Sequence, residues 1–246
     1  MIDKNIVKVI KRFLRQIGIE ISRYNPDTNN SALLKKYLDL YSISDVIDVG
    51  ANIGQFGVLL REAGYKNKII SFEPLKDSYV TLQKRCAKYK KWDCFPYGVG
   101  SEKGKLKINV SRNKVSSSIL EVTSLSTVAD EQTTFESSST IEIITLDEFL
   151  KDKLNSEKSI YLKIDVQGFE LEVLKGSLEL LKNIKIIQLE MSFVALYKNG
   201  PLYKEIVSWM ENQNFELYTI IPDFRDVDSG RMLQADGVFV NKRFSI

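Results

Sequence analysis

The chain has 246 residues, of which 43 % are hydrophobic and 27 % charged, and 35 basic residues against 32 acidic ones leave a net charge of +3. That length and composition predict one globular α/β domain with a real core, and the near balance of charge speaks against a general nucleic-acid binder. There is no histidine and there are only two cysteines, Cys86 and Cys94, which excludes a Ser-His-Asp triad, a histidine-ligated metal and a disulfide framework.

Residues 3–18 carry Ile6, Ile10, Phe13 and Ile17 at helical spacing, with Lys4, Lys8, Lys11 and Arg15 on the opposite side. Residues 1–24 hold six Lys/Arg against two acids. Such a helix either docks its apolar face on the domain, the default, or makes a peripheral contact with an anionic membrane. A second helix is predicted over 31–40. Residues 1–42 thus read as an N-terminal helical extension, and 43–246 as the main domain. No apolar run reaches the roughly eighteen residues of a membrane span. The first residues also lack the apolar core of a secretory signal. The expected location is cytoplasmic, with the inner membrane face as the variant that residues 1–24 suggest.

From Ile43 strands and helices alternate. Strands are expected at 46–49, 68–72 and 92–98, and helices from the first glycine turn to Ala63 and over 75–90. This order predicts a mostly parallel, Rossmann-like sheet with helices on both faces. A strand at 105–110 leads into 111–140, where 14 of 30 residues are Ser or Thr. That stretch reads as a long surface excursion. A flexible loop is the default around Ser116–Ser118, with a lid over a second substrate as the alternative. Further elements are expected at 141–145 (strand), 146–153 (helix), 159–165 (strand), 169–176 (helix), 184–190 (strand), 201–212 (helix), and 215–221 and 235–240 (strands).

The chemistry-bearing residues fall at the strand ends. Asp48, Gly50, Ala51, Asn52 and Gly54 form a strand–turn–helix junction, where doubly wound folds bind nucleotide-like ligands. The spacing departs from the dinucleotide fingerprint, because Asn52 replaces the middle glycine and Asp48 would repel a phosphate. A carboxylate there suits a cationic ligand with an amine, such as S-adenosylmethionine. Glu73, followed by Pro74, ends the second strand, where a carboxylate can accept from two ribose hydroxyls. Gly98 and Val99 offer backbone to line an adenine pocket. Lys163, Asp165 and Gln167 alternate, so they share one side of an extended segment. Glu190 ends the next strand, close enough in topology for Asp165 and Glu190 to meet. That pair reads as a base, an amine ligand or a divalent-cation site, with no choice among them. The default for Glu170 is helix capping, and for Tyr197, Tyr203 and Trp209 core packing.

In this order and spacing, Asp48-Val-Gly-Ala-Asn-Ile-Gly54, Phe72-Glu-Pro74, Lys163-Ile-Asp-Val-Gln-Gly-Phe-Glu170 and Leu189-Glu190 resemble the FkbM family of methyltransferases over about residues 43–241. The resemblance implies a class I fold with a seven-stranded sheet whose last strand is antiparallel. It implies methyl transfer from S-adenosylmethionine, leaving S-adenosylhomocysteine, to a hydroxyl of a sugar, glycan or lipid-linked saccharide. It places Asp48, Gly50, Asn52, Gly54 and Glu73 at the cofactor, with Asp165 beside its methionine part. Gln167 stands where many members have glutamate, which leaves Asp165, Glu190 or Lys163 to handle the proton. The rival readings are a dinucleotide-dependent oxidoreductase, a methyltransferase acting on nucleic acid, and a non-catalytic binding protein on the same fold. No nucleic-acid partner is expected.

Overall fold

A computed structural model describes residues 4–21, 24–112, 116–130, 133–154 and 158–245. Its main sheet contains β1 (Asp45–Val49), β2 (Lys68–Phe72), β3 (Trp92–Phe95), β7 (Ile160–Ile164), β8 (Ile184–Ser192), β9 (Phe215–Pro222) and β10 (Gln234–Asn241). The spatial order is β3-β2-β1-β7-β8-β10-β9, and β10 alone runs antiparallel to its neighbours. The seven strands and the one reversed last strand are what the class I resemblance implies. The chain crosses from one half-sheet to the other between β1 and β7. Such a switch point opens a crevice at the carboxyl ends of the strands.

Strand alternation sends side chains to two cores. On one face Ile47, Val49, Leu162, Ile164, Leu189 and Phe239 pack beneath α6 (Leu146–Leu150), α7 (Glu170–Lys175) and α8 (Tyr203–Asn212). On the other, Val46, Ile69, Tyr161 and Ile186 pack against α2 (Asn30–Leu40), α3 (Gln55–Glu62) and α4 (Lys76–Cys86). Leu34, Tyr37 and Leu38 of α2 are buried in that second core, so the core reaches back across the expected boundary at residue 42. The helix α1 (Lys4–Gln16) differs. The default predicted that its apolar face docks, yet Val9, Ile10, Phe13 and Ile17 are exposed.

Two other expectations need correction. The strand over 92–98 is two strands: β3 stops at Phe95, and Gly98–Val99 form β4 in a separate sheet of order β4-β6-β5. Pro96 interposes a residue with no N–H to extend the ladder. The Ser/Thr-rich stretch is not a plain surface loop. Its C-terminal part belongs to β6 (Phe135–Ile144), which pairs with β5 (Gly104–Ser111) and follows a short helix, α5 (Ser124–Ala129). Ser117, Ser118, Ser126 and Thr133 within it are buried. Residues 113–115 and 131–132 of the excursion lie outside the described residues.

Candidate functional site

Strand register builds the site. Asp48 on β1 faces Ser71 on β2 and Lys163 on β7, Lys163 faces Gln188 on β8, and Glu190 faces Asp236 on β10. In-register partners project to the same face, so five strands present a polar row at one end of an otherwise apolar face. Ser71 Oγ donates to Asp48 at 3.0 Å, and the indole of Trp92 donates to Ser71 Oγ at 3.0 Å. Burial pushes the Asp48 carboxyl up to about 7, against the opposing hydrogen bond from Ser71 and the charge of Lys163.

The turn after β1 is dictated by close approach. A Cβ at Gly50, where φ is +79°, would lie 1.8 Å from the Asp165 carbonyl oxygen. Only glycine lets the turns after β1 and β7 touch. The backbone N–H of Asn52 donates to Glu73 Oε2 at 2.9 Å, and that of Leu75 to Glu73 Oε1 at 2.8 Å. Each oxygen keeps a second lone pair for a ligand. Burial raises the Glu73 carboxyl to about 7, opposed by those two backbone donors.

These groups line one cavity. Asp48, Gly50, Ala51, Asn52, Glu73, Pro74, Gly98, Val99, Lys163 and Asp165 all border it. Gly54 does not. Its missing Cβ would lie 2.8 Å from Leu82 Cδ1 and 3.3 Å from the Trp92 ring, so this glycine serves the packing of α3 on α4 rather than the cavity. Sequence reasoning missed the apolar wall formed by Ile108, Ile119 and Ile141 with Leu75 and Phe169. The first three belong to the excursion and its hairpin. Ile108 and Ile141 fall in the expected strands 105–110 and 141–145, a pattern that marks strands without saying that they face a ligand, and Ile119 carried no such signal.

Glu190 lines a neighbouring cavity, with Tyr197, Asp223, Phe224, Arg225 and Gln234. Gln167 borders both cavities. Its Nε2 donates to Asp165 Oδ1 at 2.9 Å and to Glu190 Oε2 at 3.1 Å, and the Tyr197 hydroxyl donates to its Oε1. Asp165 and Glu190 are thus brought together through an amide rather than by direct contact. Among the described residues, no group of three or more His, Cys, Asp or Glu is arranged to hold a metal ion. Ser118, fully buried, donates to the Gln167 carbonyl at 2.5 Å. That bond ties the excursion to the turn after β7.

Lys163 is buried and paired. Its Nζ lies 3.1 Å from Asp236 Oδ1 and 3.6 Å from Asp165 Oδ2. Burial by itself would lower the Lys163 pKa. The charges of Asp236, Asp165 and Glu190 outweigh it and push the pKa up. Lys163 is therefore a fixed cation and not a proton acceptor near neutral pH. Glu190 shows the reverse balance. It is 6 % exposed, and burial, with the nearby Asp165, Glu170 and Asp236 charges, raises its carboxyl well above the usual range. Gln234 Nε2 also donates to Oε2 at 2.5 Å, while Oε1 has no hydrogen-bond partner among the described residues. Glu170 caps its own turn, accepting from the N–H groups of Gly168 at 3.0 Å and Val166 at 3.3 Å. Tyr203 and Trp209 pack against the main core.

The "Methyltransferase FkbM domain" model matches residues 48–217, more than half of the chain. The chain belongs to the FkbM methyltransferase family. It is a methyltransferase with a class I fold, and its methyl donor is S-adenosylmethionine. Similar solved structures include fibrillarin from Methanococcus jannaschii, a pre-rRNA processing protein (12 % identity, 91 % of this chain and 81 % of that one, TM-score 0.49). Aeropyrum pernix fibrillarin, solved with natively bound S-adenosyl-L-methionine, is 9 % identical over 86 % of this chain and 73 % of that one, with TM-score 0.47. An rRNA methylase from Streptococcus thermophilus is 9 % identical over 91 % and 99 %, with TM-score 0.45. No curated protein sequence matches the chain.

The residues present fit the donor. A sulfonium and an ammonium carry positive charge, and the first cavity is bordered by the carboxyls of Asp48, Glu73 and Asp165. Val99, Ile108, Ile119, Ile141, Leu75 and Phe169 give it an apolar stretch of wall, as an adenine ring requires.

Proposed function

We propose that this methyltransferase acts on oxygen, on a hydroxyl of a sugar, glycan or lipid-linked saccharide, and that Glu190 is its general base. The observation that carries this is the free Oε1 of a buried, proton-hungry carboxyl, facing a polar cavity that shares Gln167 with the cofactor cavity.

In this reading the Glu73 oxygens accept from the ribose hydroxyls, and Gly98 and Val99 lie along the base. Asp48 and Asp165 face the methionine part, with Gly50, Ala51, Asn52 and Pro74 as its backbone surround. S-adenosylmethionine, when bound, supplies a methyl group on a good sulfur leaving group. Gln167 and Gln234 hold Glu190 Oε2, which aims Oε1 at the acceptor hydroxyl. As the acceptor oxygen forms its bond to the methyl carbon and the sulfur–carbon bond breaks, Glu190 takes the hydroxyl proton. Burial and the neighbouring Asp165, Glu170 and Asp236 carboxylates raise the proton affinity of Glu190, which strengthens it as an acceptor of that proton. Lys163 stays protonated and fixes Asp165 and Asp236. Much of the acceleration comes from orienting the acceptor, since in-line displacement is sensitive to geometry. Polar Asp223, Arg225, Gln234 and Tyr197 around the second cavity, with Phe224, match a polyhydroxylated ligand. The near-neutral charge of the chain supports a glycan over an RNA acceptor.

Incubation with methyl-labelled S-adenosylmethionine tests this, using monosaccharides, lipid-linked saccharides and RNA as parallel acceptors. The reading expects alkali-stable O-linked label on a saccharide, lost in Glu190→Gln. Label confined to RNA would overturn it.

A further inference from the structure

We propose that α1 is a peripheral membrane anchor that lies in the plane of an anionic lipid surface. The inference does not depend on which acceptor the catalytic domain uses.

At 3.6 residues per turn, the apolar residues Val7, Val9, Ile10, Phe13 and Leu14, with Ile17 directly after the helix, occupy one arc of roughly 160°. The basic residues Lys8, Lys11, Arg12 and Arg15 occupy an arc of roughly 100° on the opposite side, and none of these residues falls in the other arc. A helix this strongly segregated normally buries its apolar stripe. Here Val9 is 68 % exposed, Phe13 62 % and Ile17 59 %. Among the described residues, no side chain of 7–16 joins any of the domain's apolar clusters. The apolar face continues past the helix in Ile19 and Ile21, both exposed.

The occupant must satisfy both stripes. Residues 1–24 carry a net +4 from six basic and two acidic residues, while the rest of the chain sums to −1. The positive charge of the protein is therefore concentrated on this one segment. Lys8, Lys11 and Arg12 make no side-chain hydrogen bond or salt bridge among the described residues, and Arg15 pairs with Glu20, whose charge Lys11 also feels. A nucleic acid would engage the basic arc and leave the wider apolar arc in water. A second copy would cover the apolar arc and bring like charges together. An anionic bilayer accepts both, taking the apolar arc below the headgroups and the basic arc among them. With 13 residues, α1 is about 20 Å long, too short to cross a hydrocarbon core of about 30 Å. Among the described residues no helix is long and apolar enough to span a membrane. The helix lies on the surface rather than through it.

The experiment is co-sedimentation of the full-length chain with phosphatidylcholine vesicles, with and without phosphatidylglycerol. The expected result is binding at least about tenfold tighter to the anionic vesicles, weakened by salt. Phe13→Glu combined with Ile17→Glu should abolish binding, with the thermal unfolding midpoint unchanged because neither side chain is packed. Combined Lys8→Gln, Lys11→Gln and Arg12→Gln should remove the preference for anionic vesicles. Light scattering runs beside it. A wild-type chain that stays in the supernatant, or a Phe13→Glu/Ile17→Glu variant that binds as wild type does, overturns the proposal. So does a wild-type dimer that the same variant converts to monomer without any vesicle binding, which would assign the apolar face to a second copy.

Discussion

Glu73 is the residue whose removal tests the cofactor assignment most directly. Its two carboxylate oxygens already accept from the Asn52 and Leu75 N–H groups, at 2.9 and 2.8 Å, and each has one lone pair left for a ribose hydroxyl. A hydrogen bond to a charged group is worth about 1.5–3 kcal/mol net. Losing one such bond in Glu73→Ala should weaken S-adenosylhomocysteine binding by at least about tenfold, and losing two fully made bonds by at least about a hundredfold. Glu73→Ala also strands two backbone donors, so its melting point should fall. Calorimetry on folded protein well below that melting point separates the two effects. The sharper control is a ligand lacking the ribose 2′-hydroxyl. Wild type should discriminate against it by about tenfold and Glu73→Ala hardly at all. Affinity should also fall as pH drops through about 7, where Glu73 gains the proton that competes with the hydroxyls. A Glu73→Ala variant that binds within about twofold of wild type, or that still discriminates between the two ligands, would refute the ribose assignment.

Three further outcomes are expected. Burial raises the carboxyls of Asp48, Glu73 and Glu170 to about 7, so the ligand-free fold binds protons that the unfolded chain releases near its ordinary carboxylate pKa. Their contribution is fully present below the unfolded pKa and is lost as pH rises through about 7. The melting point should therefore rise from about pH 8 to about pH 5.5, and Asp48→Asn should flatten the slope. A midpoint that falls over that window contradicts the argument. Gly50→Ala places a methyl 1.8 Å from the Asp165 carbonyl at a φ of +79°. It should cost several kcal/mol, read as a large drop in melting temperature or loss of soluble protein, whereas Gly104→Ala, with nothing within 4 Å, should be mild. Glu190→Gln should lower kcat about a hundredfold or more and remove the acidic limb of the pH–rate profile. Its S-adenosylhomocysteine affinity should stay near wild type, and an unchanged kcat would remove Glu190 as base.

The main sheet and the acids at its strand ends were legible because both follow from local pattern. Short apolar runs closing on Asp48, Glu73, Asp165 and Glu190 announce parallel strands and the groups at their carboxyl ends. Features set by distant partners were not legible. Gly54 sits in the same motif as Gly50, and only the placement of Leu82 and Trp92 shows that one glycine packs a helix while the other admits a neighbouring turn. The first half of β6 is polar on both faces because both are exposed, and its buried residues cluster at Ile141, Ile143 and Ile144. A strand of that kind has neither alternation nor an apolar run, and it reads as loop. Gln234 and Asp236 carried no signal in an otherwise apolar terminal strand. They enter the site because β10 inserts antiparallel beside β8 and sets Asp236 opposite Glu190. The α1 pattern was plain, but periodicity shows only that a face is apolar, and the docking expected of it did not occur.

The electrostatics of the site bear on the rival oxidoreductase reading. Asp48, Glu73 and Asp165 border the first cavity with Lys163 as its one cation among the described residues, and Lys163 is already held by Asp236 at 3.1 Å. Asp48 and Glu73 are pushed up to about 7 because burial removes water without supplying a matching positive charge. A dinucleotide would bring two phosphate charges beside these carboxyls and raise the cost further. Asn52 also occupies the position where a pyrophosphate needs bare backbone, and its N–H is taken by Glu73. A ligand with a sulfonium and an ammonium does the opposite. It lowers both carboxyl pKa values and recovers part of the desolvation cost as binding energy, releasing protons near pH 7. Proton release, measured by calorimetry in buffers of different ionisation enthalpy, is therefore the electrostatic signature that separates a cationic ligand from a phosphorylated one at this site.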